Sequence, residues 1–171
     1  MENNILITGY KVKVDDLENL LSITNHLKAN NALNLNTCTL QLLNAEAIAG
    51  KNHILNATKQ AIIAFKRGEN IAKDLGLEIC LRTTAQRQIS KALDIVGLKK
   101  GKMNICVVAV NCREKILIEL EKIWGKNDDT VLKPDLTNLK KIYGLNDSEL
   151  KIYGSIEKLM IEKTAMLTLE L

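Results

Sequence analysis

At 171 residues the chain has the size of one ordinary domain, long enough to bury roughly 70% of its unfolded surface without staples. Its 46% apolar and 26% charged content matches soluble globular proteins; no apolar run approaches the ~18 residues of a membrane span, and Met1-Glu2-Asn3-Asn4 lacks the basic, apolar start of a signal peptide. The net charge of +4 is uneven, because residues 51–102 hold eleven Lys and Arg against four Asp and Glu, which fits either an anionic partner or lysines that solvate helix surfaces.

The first predicted strand is Ile5 to Val12. Asp15 then caps a helix, with Glu18 reaching back to its free amides, and Leu17, Leu20, Leu21, Thr24 and Leu27 share its inner face. Thr37 to Leu43 reads as a second strand. Lys51 to Arg67 is a helix ending at Gly68, with His53, Ala57, Ala61 and Ala64 on a narrow small-residue face. The stretch from Asn70 to Thr84 is ambiguous, and residues 77–83 fit strand and helix alike. Leu75, Leu77, Ile79 and Leu81 alternate as in a strand, while Leu77, Cys80, Leu81 and Thr84 repeat as in a helix.

Gln86 to Val96 carries Ile89, Ala92, Leu93 and Val96 at helical spacing before Gly97, and Thr83 with Gln86 suits a capping box. Met103 to Val110 is an apolar run of the kind found in inner strands. Arg113 to Trp124 follows as a helix. Pro134 precedes a short helix through Tyr143, and Asn146 with Glu149 starts a last one. Ile152, Tyr153, Ile156, Leu159, Met160 and Leu167 share a face of that last helix. This order predicts an α/β fold: a single mixed sheet of about four or five strands packed with helices, a helix-rich C-terminal half, and one domain over residues 1–171.

Few residues carry chemistry. The two histidines, His26 and His53, have no ligand-type neighbours, so no metal is expected. Phosphate-cradling glycine motifs are absent, and no cofactor is expected. Cys80 and His53 are the one conceivable nucleophile–base pair, but Cys80 lies in an apolar run, as a packing thiol does. The four cysteines form no C-x-x-C pair and read as reduced thiols in a cytoplasm. Five aromatic residues argue against a stacking platform for single-stranded RNA.

Binding features remain. The basic region offers Lys59, Lys66, Arg67, Lys73, Arg82, Arg87 and Lys91, and the two arginines match phosphate geometry best. Arg87-Gln88 also fits a plain first-turn surface pair. Leu150, Met160, Ile161 and Met166 on the last helix suit a patch for a partner protein, or a helix buried on two sides. The basic turn Lys99-Lys100-Gly101-Lys102 is equally at home as a solvated connection.

Four stretches in order carry a resemblance. They are His53-Ile54 with Ala57 in Ala49 to Ala57, Glu78-Ile79 with Leu81, Arg87-Gln88-Ile89 with Ala92, and Gly97-Leu98. Together they resemble the small regulatory subunit of the KEOPS (EKC) complex, the PRPK-binding protein family, in its archaeal form. The resemblance is clear from about residue 37 to residue 110 and looser beyond. It implies a non-catalytic subunit that contacts a small kinase-like ATPase directly. Through that ATPase it would meet the transferase that places threonylcarbamoyl on adenosine 37 of tRNA. It also implies a part in holding the tRNA 3′ CCA tail, which makes Arg87, Gln88 and the neighbouring lysines candidate RNA contacts. The rival reading is a protein-interaction module that regulates the ATPase allosterically and never touches RNA.

Overall fold

The apolar run ending at Val110 forms the centre of the molecule. The computed structural model describes residues 3–33 and 38–169. Its strands are β1 (Ile5–Val14), β2 (Thr39–Asn44) and β3 (Gly101–Val110), in the order β1-β3-β2. Residues Ile105 to Val110 are buried on both faces, as an inner strand requires. Both neighbours pair antiparallel to β3, so β1 and β2 run parallel to each other across it. Helix α1 (Leu17–Asn30) makes the crossover between them, a split β-α-β arrangement. Among the described residues the sheet therefore has three strands, all paired antiparallel, where a mixed sheet of four or five was expected.

The strand that did not form is the ambiguous stretch, which folds as helix α3 (Leu75–Thr84). Two local bonds account for this. Asp74 caps the helix by accepting the Leu77 amide at 3.0 Å. Glu78 and Arg82, one helical turn apart, form a fully buried ion pair in which Nε donates to Oε1 at 2.8 Å and Nη2 lies 2.8 Å from the same oxygen. A strand would send these two side chains 4 residues apart along one face, at about 13 Å, and leave both charges unpaired.

Helices cover both faces of the sheet. Ile7, Leu43, Cys106 and Val108 pack with α2 (Lys51–Arg67), α3 and α4 (Ile89–Val96). Tyr10, Val12, Leu40 and Val107 pack with α1 and α5 (Ile116–Trp124). A third cluster joins Ala49 to α6 (Leu136–Tyr143), α7 (Asp147–Tyr153) and α8 (Ile156–Leu169). The outer edge of β1 is closed by the loop before Leu132. Asp129 Oδ1 accepts from Thr8 Oγ1 at 2.8 Å and the Gly9 amide at 3.0 Å, and a side chain at Gly9 would collide with Val131 and the Asp128 carbonyl.

Several expected details differ. Asp16, not Asp15, caps α1, because Asp15 pairs with Lys13 at 3.0 Å. Leu21 shares a groove with Leu17, Leu20 and Thr24 but is exposed there and is not core. The capping box of Thr83 and Gln86 is absent, since Thr83 still belongs to α3 and donates to the Ile79 carbonyl at 2.7 Å. The last helix is two helices: Gly154, at φ +76°, ends α7 and redirects the chain before Ile156. Ile152, expected on the inner face, is 77% exposed as a result. Thr37, the expected start of the second strand, lies outside the described residues.

Two cysteines also differ from expectation. The register that sets Thr39 opposite Val110 brings Cys38 beside Cys112, and the two form a disulfide. Cys80 and Cys106 remain buried free thiols.

Two outcomes follow for stability. Arg82→Met leaves Glu78 buried without its cation and should lower the unfolding free energy by about 3–5 kcal/mol, read as a lower urea midpoint. Reducing the Cys38–Cys112 bridge, which spans 74 residues of sequence, should cost about 4 kcal/mol by loop entropy, checked by the same titration with and without reductant.

Candidate binding site

The end of α3 is held by a buried histidine. His53 Nδ1 accepts the Ala49 amide at 3.0 Å, and its Nε2–H donates to the Thr83 carbonyl at 2.9 Å. Those two bonds fix the neutral tautomer and the ring's orientation. Burial pushes the His53 pKa from 6.5 down to about 4. The Cys80 thiol is pushed up to about 12, chiefly by burial. With both ring nitrogens committed to backbone and the thiol held protonated, the conceivable nucleophile–base pair does not form.

Beyond Thr83 the chain turns sharply. Ala85 adopts the left-handed region at φ +52°, and the Gln86 amide returns to the Leu81 carbonyl at 3.1 Å. Gln86 thereby enters a cavity of about 370 Å³ between the end of α3 and helices α6, α7 and α8. Tyr143, Tyr153, Lys163 and Met166 line it with Glu149 and Glu162. Tyr143 donates to the Ala47 carbonyl at 2.7 Å, and its burial raises its pKa, so the phenol keeps its proton. The Glu149 carboxylate is held low, first by the Asn146 amide and then by Lys163 at 3.4 Å.

Arg87 and Gln88 follow directly and are exposed, as is Lys91 on the first turn of α4. Gln88 precedes α4 without a side-chain bond to its amides. The remaining basic candidates do not join them. The bond from His53 to Thr83 sets the end of α3 beside the start of α2. Lys66 and Arg67 lie at the other end of α2, about 20 Å away along its axis, with Lys73 in the loop that connects there. Lys59 is exposed midway.

Arg82 requires correction. It is fully buried, paired with Glu78 and donating to Thr168 Oγ1 at 2.8 Å, so it is a core residue and no surface phosphate reaches it.

The partner-patch candidates also separate. Met160 is fully buried in the α6–α8 cluster and presents nothing to a partner, again a correction. Leu150 is half-buried against that same cluster, and Ile161 is half-buried on α8. Met166 is 45% exposed at the rim of the cavity. The helix break also exposes Ile152, and Leu169 is exposed as well, neither of them among the expected patch residues. Tyr143 and Tyr153 were likewise missed, because their pairing around one cavity depends on where Gly154 turns the chain. Among the described residues no three His, Cys, Asp or Glu side chains gather as a metal site, and no helix is long and apolar enough to cross a membrane.

Comparison with known proteins adds an independent finding. Residues 14–168 match the family described as kinase binding protein CGI-121. The chain is 33% identical over 130 residues to "Regulatory protein Cgi121" of Methanocaldococcus jannaschii, covering 76% of this chain and 83% of that protein. It is 37% identical over 70 residues to "KEOPS complex subunit Cgi121" of Pyrococcus abyssi, covering 40% of this chain and 41% of that one.

The histidine bracket predicts acid sensitivity. Because the folded pKa lies near 4 and the ordinary value is 6.5, the unfolded chain takes up this proton first as pH falls. The stability contributed by neutral His53 is complete above pH 6.5 and lost progressively toward pH 4. Denaturant titrations across that window should show the loss, and His53→Leu should remove that part of the pH dependence while lowering stability throughout.

Proposed function

The chain belongs to the CGI-121 kinase binding protein family, and on that premise we propose that it is a non-catalytic accessory subunit of a KEOPS-type tRNA-modifying assembly. In this reading it docks on the kinase-like ATPase subunit, reaches the threonylcarbamoyl transferase only through that subunit, and holds the 3′ CCA tail of tRNA. The observation that carries the RNA part is the cavity bounded by Gln86, Tyr143 and Tyr153, with Arg87 immediately beyond it.

Single-stranded RNA is read through unstacked bases that meet aromatic rings and hydrogen-bonding side chains. A cavity with two tyrosines and a glutamine amide offers both kinds of group to a terminal base. The start of α4 adds amide donors, which favour a phosphate, beside the Arg87 guanidinium. Tethering the tail would raise the effective concentration of tRNA at the catalytic subunits and orient it, with no bond made or broken by this chain. The exposed apolar residues Ile152, Met166 and Leu169 support docking of the kinase-like subunit on the outer side of α7 and α8. A cytoplasmic place in the cell is compatible with the Cys38–Cys112 bridge, since intracellular proteins of some hyperthermophilic archaea carry such bridges.

A second reading has its own support, because Met166 belongs both to the cavity rim and to the exposed apolar set. The cavity would then receive a side chain of the kinase-like subunit, and the chain would regulate that subunit without touching RNA.

Arg87→Glu separates the two. Under the tail-binding reading it should weaken tRNA binding by at least about tenfold at low salt, leave docking of the kinase-like subunit intact, and match the loss seen when wild-type protein meets tRNA without its CCA tail. Equal affinity for intact and tail-less tRNA would favour the second reading.

A further inference from the structure

The β1–β3 ribbon continues past the end of β2. Asn44, the last residue of β2, lies opposite Ile105, while Gly101 to Asn104 still pair with Lys11 to Val14. About 13 Å of two-stranded ribbon therefore extends beyond the three-stranded sheet. Its two faces differ. Val12, Val14 and Met103 pack toward α1 and α5, whereas Lys11, Lys13, Lys102 and Asn104 alternate onto the opposite face, beyond the cover of α2 and α3. There they border a shallow depression of about 500 Å³ with Glu46 on its rim.

Lys13 sits directly opposite Lys102 in the register, a like-charge pair that disfavours the ribbon. Lys99 and Lys100 lead into the same tip and are exposed. Among the described residues, Lys99, Lys100 and Lys102 have no ion-pair partner. Lys11 and Lys13 pair with Asp128 at 2.9 Å and Asp15 at 3.0 Å, exposed contacts of little worth that a phosphate readily replaces.

We propose that this ribbon tip is a second RNA contact, which grips the phosphate backbone of an RNA double helix. The inference rests on the RNA-tethering reading above and adds to it a surface for the stem that adjoins the tail. A duplex is the fitting form, because the basic face carries no aromatic ring for an unstacked base and offers only point charges. Bonds link the strand that enters the ribbon to the helices that carry the tail site. Lys51, at the start of α2, bonds Asp129, which holds Thr8 and Gly9 of β1, and His53, one turn along, holds the end of α3.

Lys102→Glu tests this. It replaces the repulsive pair with an attractive one, so the thermal midpoint should rise while binding to a blunt RNA duplex falls roughly tenfold, with a log–log salt slope shallower by about one. A CCA-ended single strand should bind wild type and variant alike. Unchanged duplex affinity and slope would overturn the ribbon contact and leave the tail reading standing. Failure of wild-type protein to bind the single strand, with duplex binding still sensitive to Lys102→Glu, would overturn the tail reading and keep the ribbon. Unchanged duplex binding with weakened association to the kinase-like subunit would assign the tip to a protein partner and refute the proposal.

Discussion

The carboxylate of Glu78 organises the helical face of this molecule. One oxygen accepts the Ile71 and Ala72 amides at 2.9 and 2.8 Å, and the other takes the Arg82 guanidinium. Arg82 passes the constraint onward, since its guanidinium reaches Thr168 and its carbonyl accepts from Thr164 Oγ1 at 2.8 Å. A loop, α3 and α8 are thus tied through charges that sit out of water. Such a pair contributes little net stability over an apolar replacement, yet half of it is worse than none. Its effect is to leave α3 one acceptable conformation and one position against α8, which fixes the wall from which Gln86 enters the cavity.

Much of the architecture was legible because it is periodic. β3, α2 and α4 follow from apolar spacing and glycine stops. The helical state of the ambiguous stretch was not legible for a physical reason: residues 75–84 satisfy both periods, and the deciding Glu78–Arg82 bond is visible only once burial removes water from both charges. Gly154 is a similar case. Its apolar neighbours continue a helical pattern that the left-handed turn interrupts, so a residue read as core, Ile152, lies in solvent. The disulfide depended on register, which no local pattern encodes.

Charge was legible in amount and misleading in place. Residues 51–102 are basic as a segment, but α2 and α3 form an antiparallel pair, which carries the ends of that segment apart: Arg87 is returned to the start of α2, and Lys66, Arg67 and Lys73 are left at its far end. Pairing of β1 with β3 then brings Lys11 and Lys13, from outside the basic segment, to the turn at Lys99–Lys102. Electrostatic surfaces are made by topology, so a count along the chain locates them only when neighbours in sequence stay neighbours in space.

The stretches that resemble the family can now be sorted by what they touch. His53, Ile54, Ala57, Glu78, Ile79, Leu81 and Ala92 are all buried, and His53 and Glu78 are bonded to backbone amides. For these positions the fold alone explains the residue type. Arg87 and Gln88 differ, being exposed beside a turn that the buried residues hold in place. Ile89 is exposed with them, and Gly97 and Leu98 are half-buried, so the surface part of the pattern is the short run from Arg87 to Ile89 that adjoins a left-handed turn and a cavity. The core members set the geometry of the turn, and they place the polar side chains of Arg87 and Gln88 at the surface beside it.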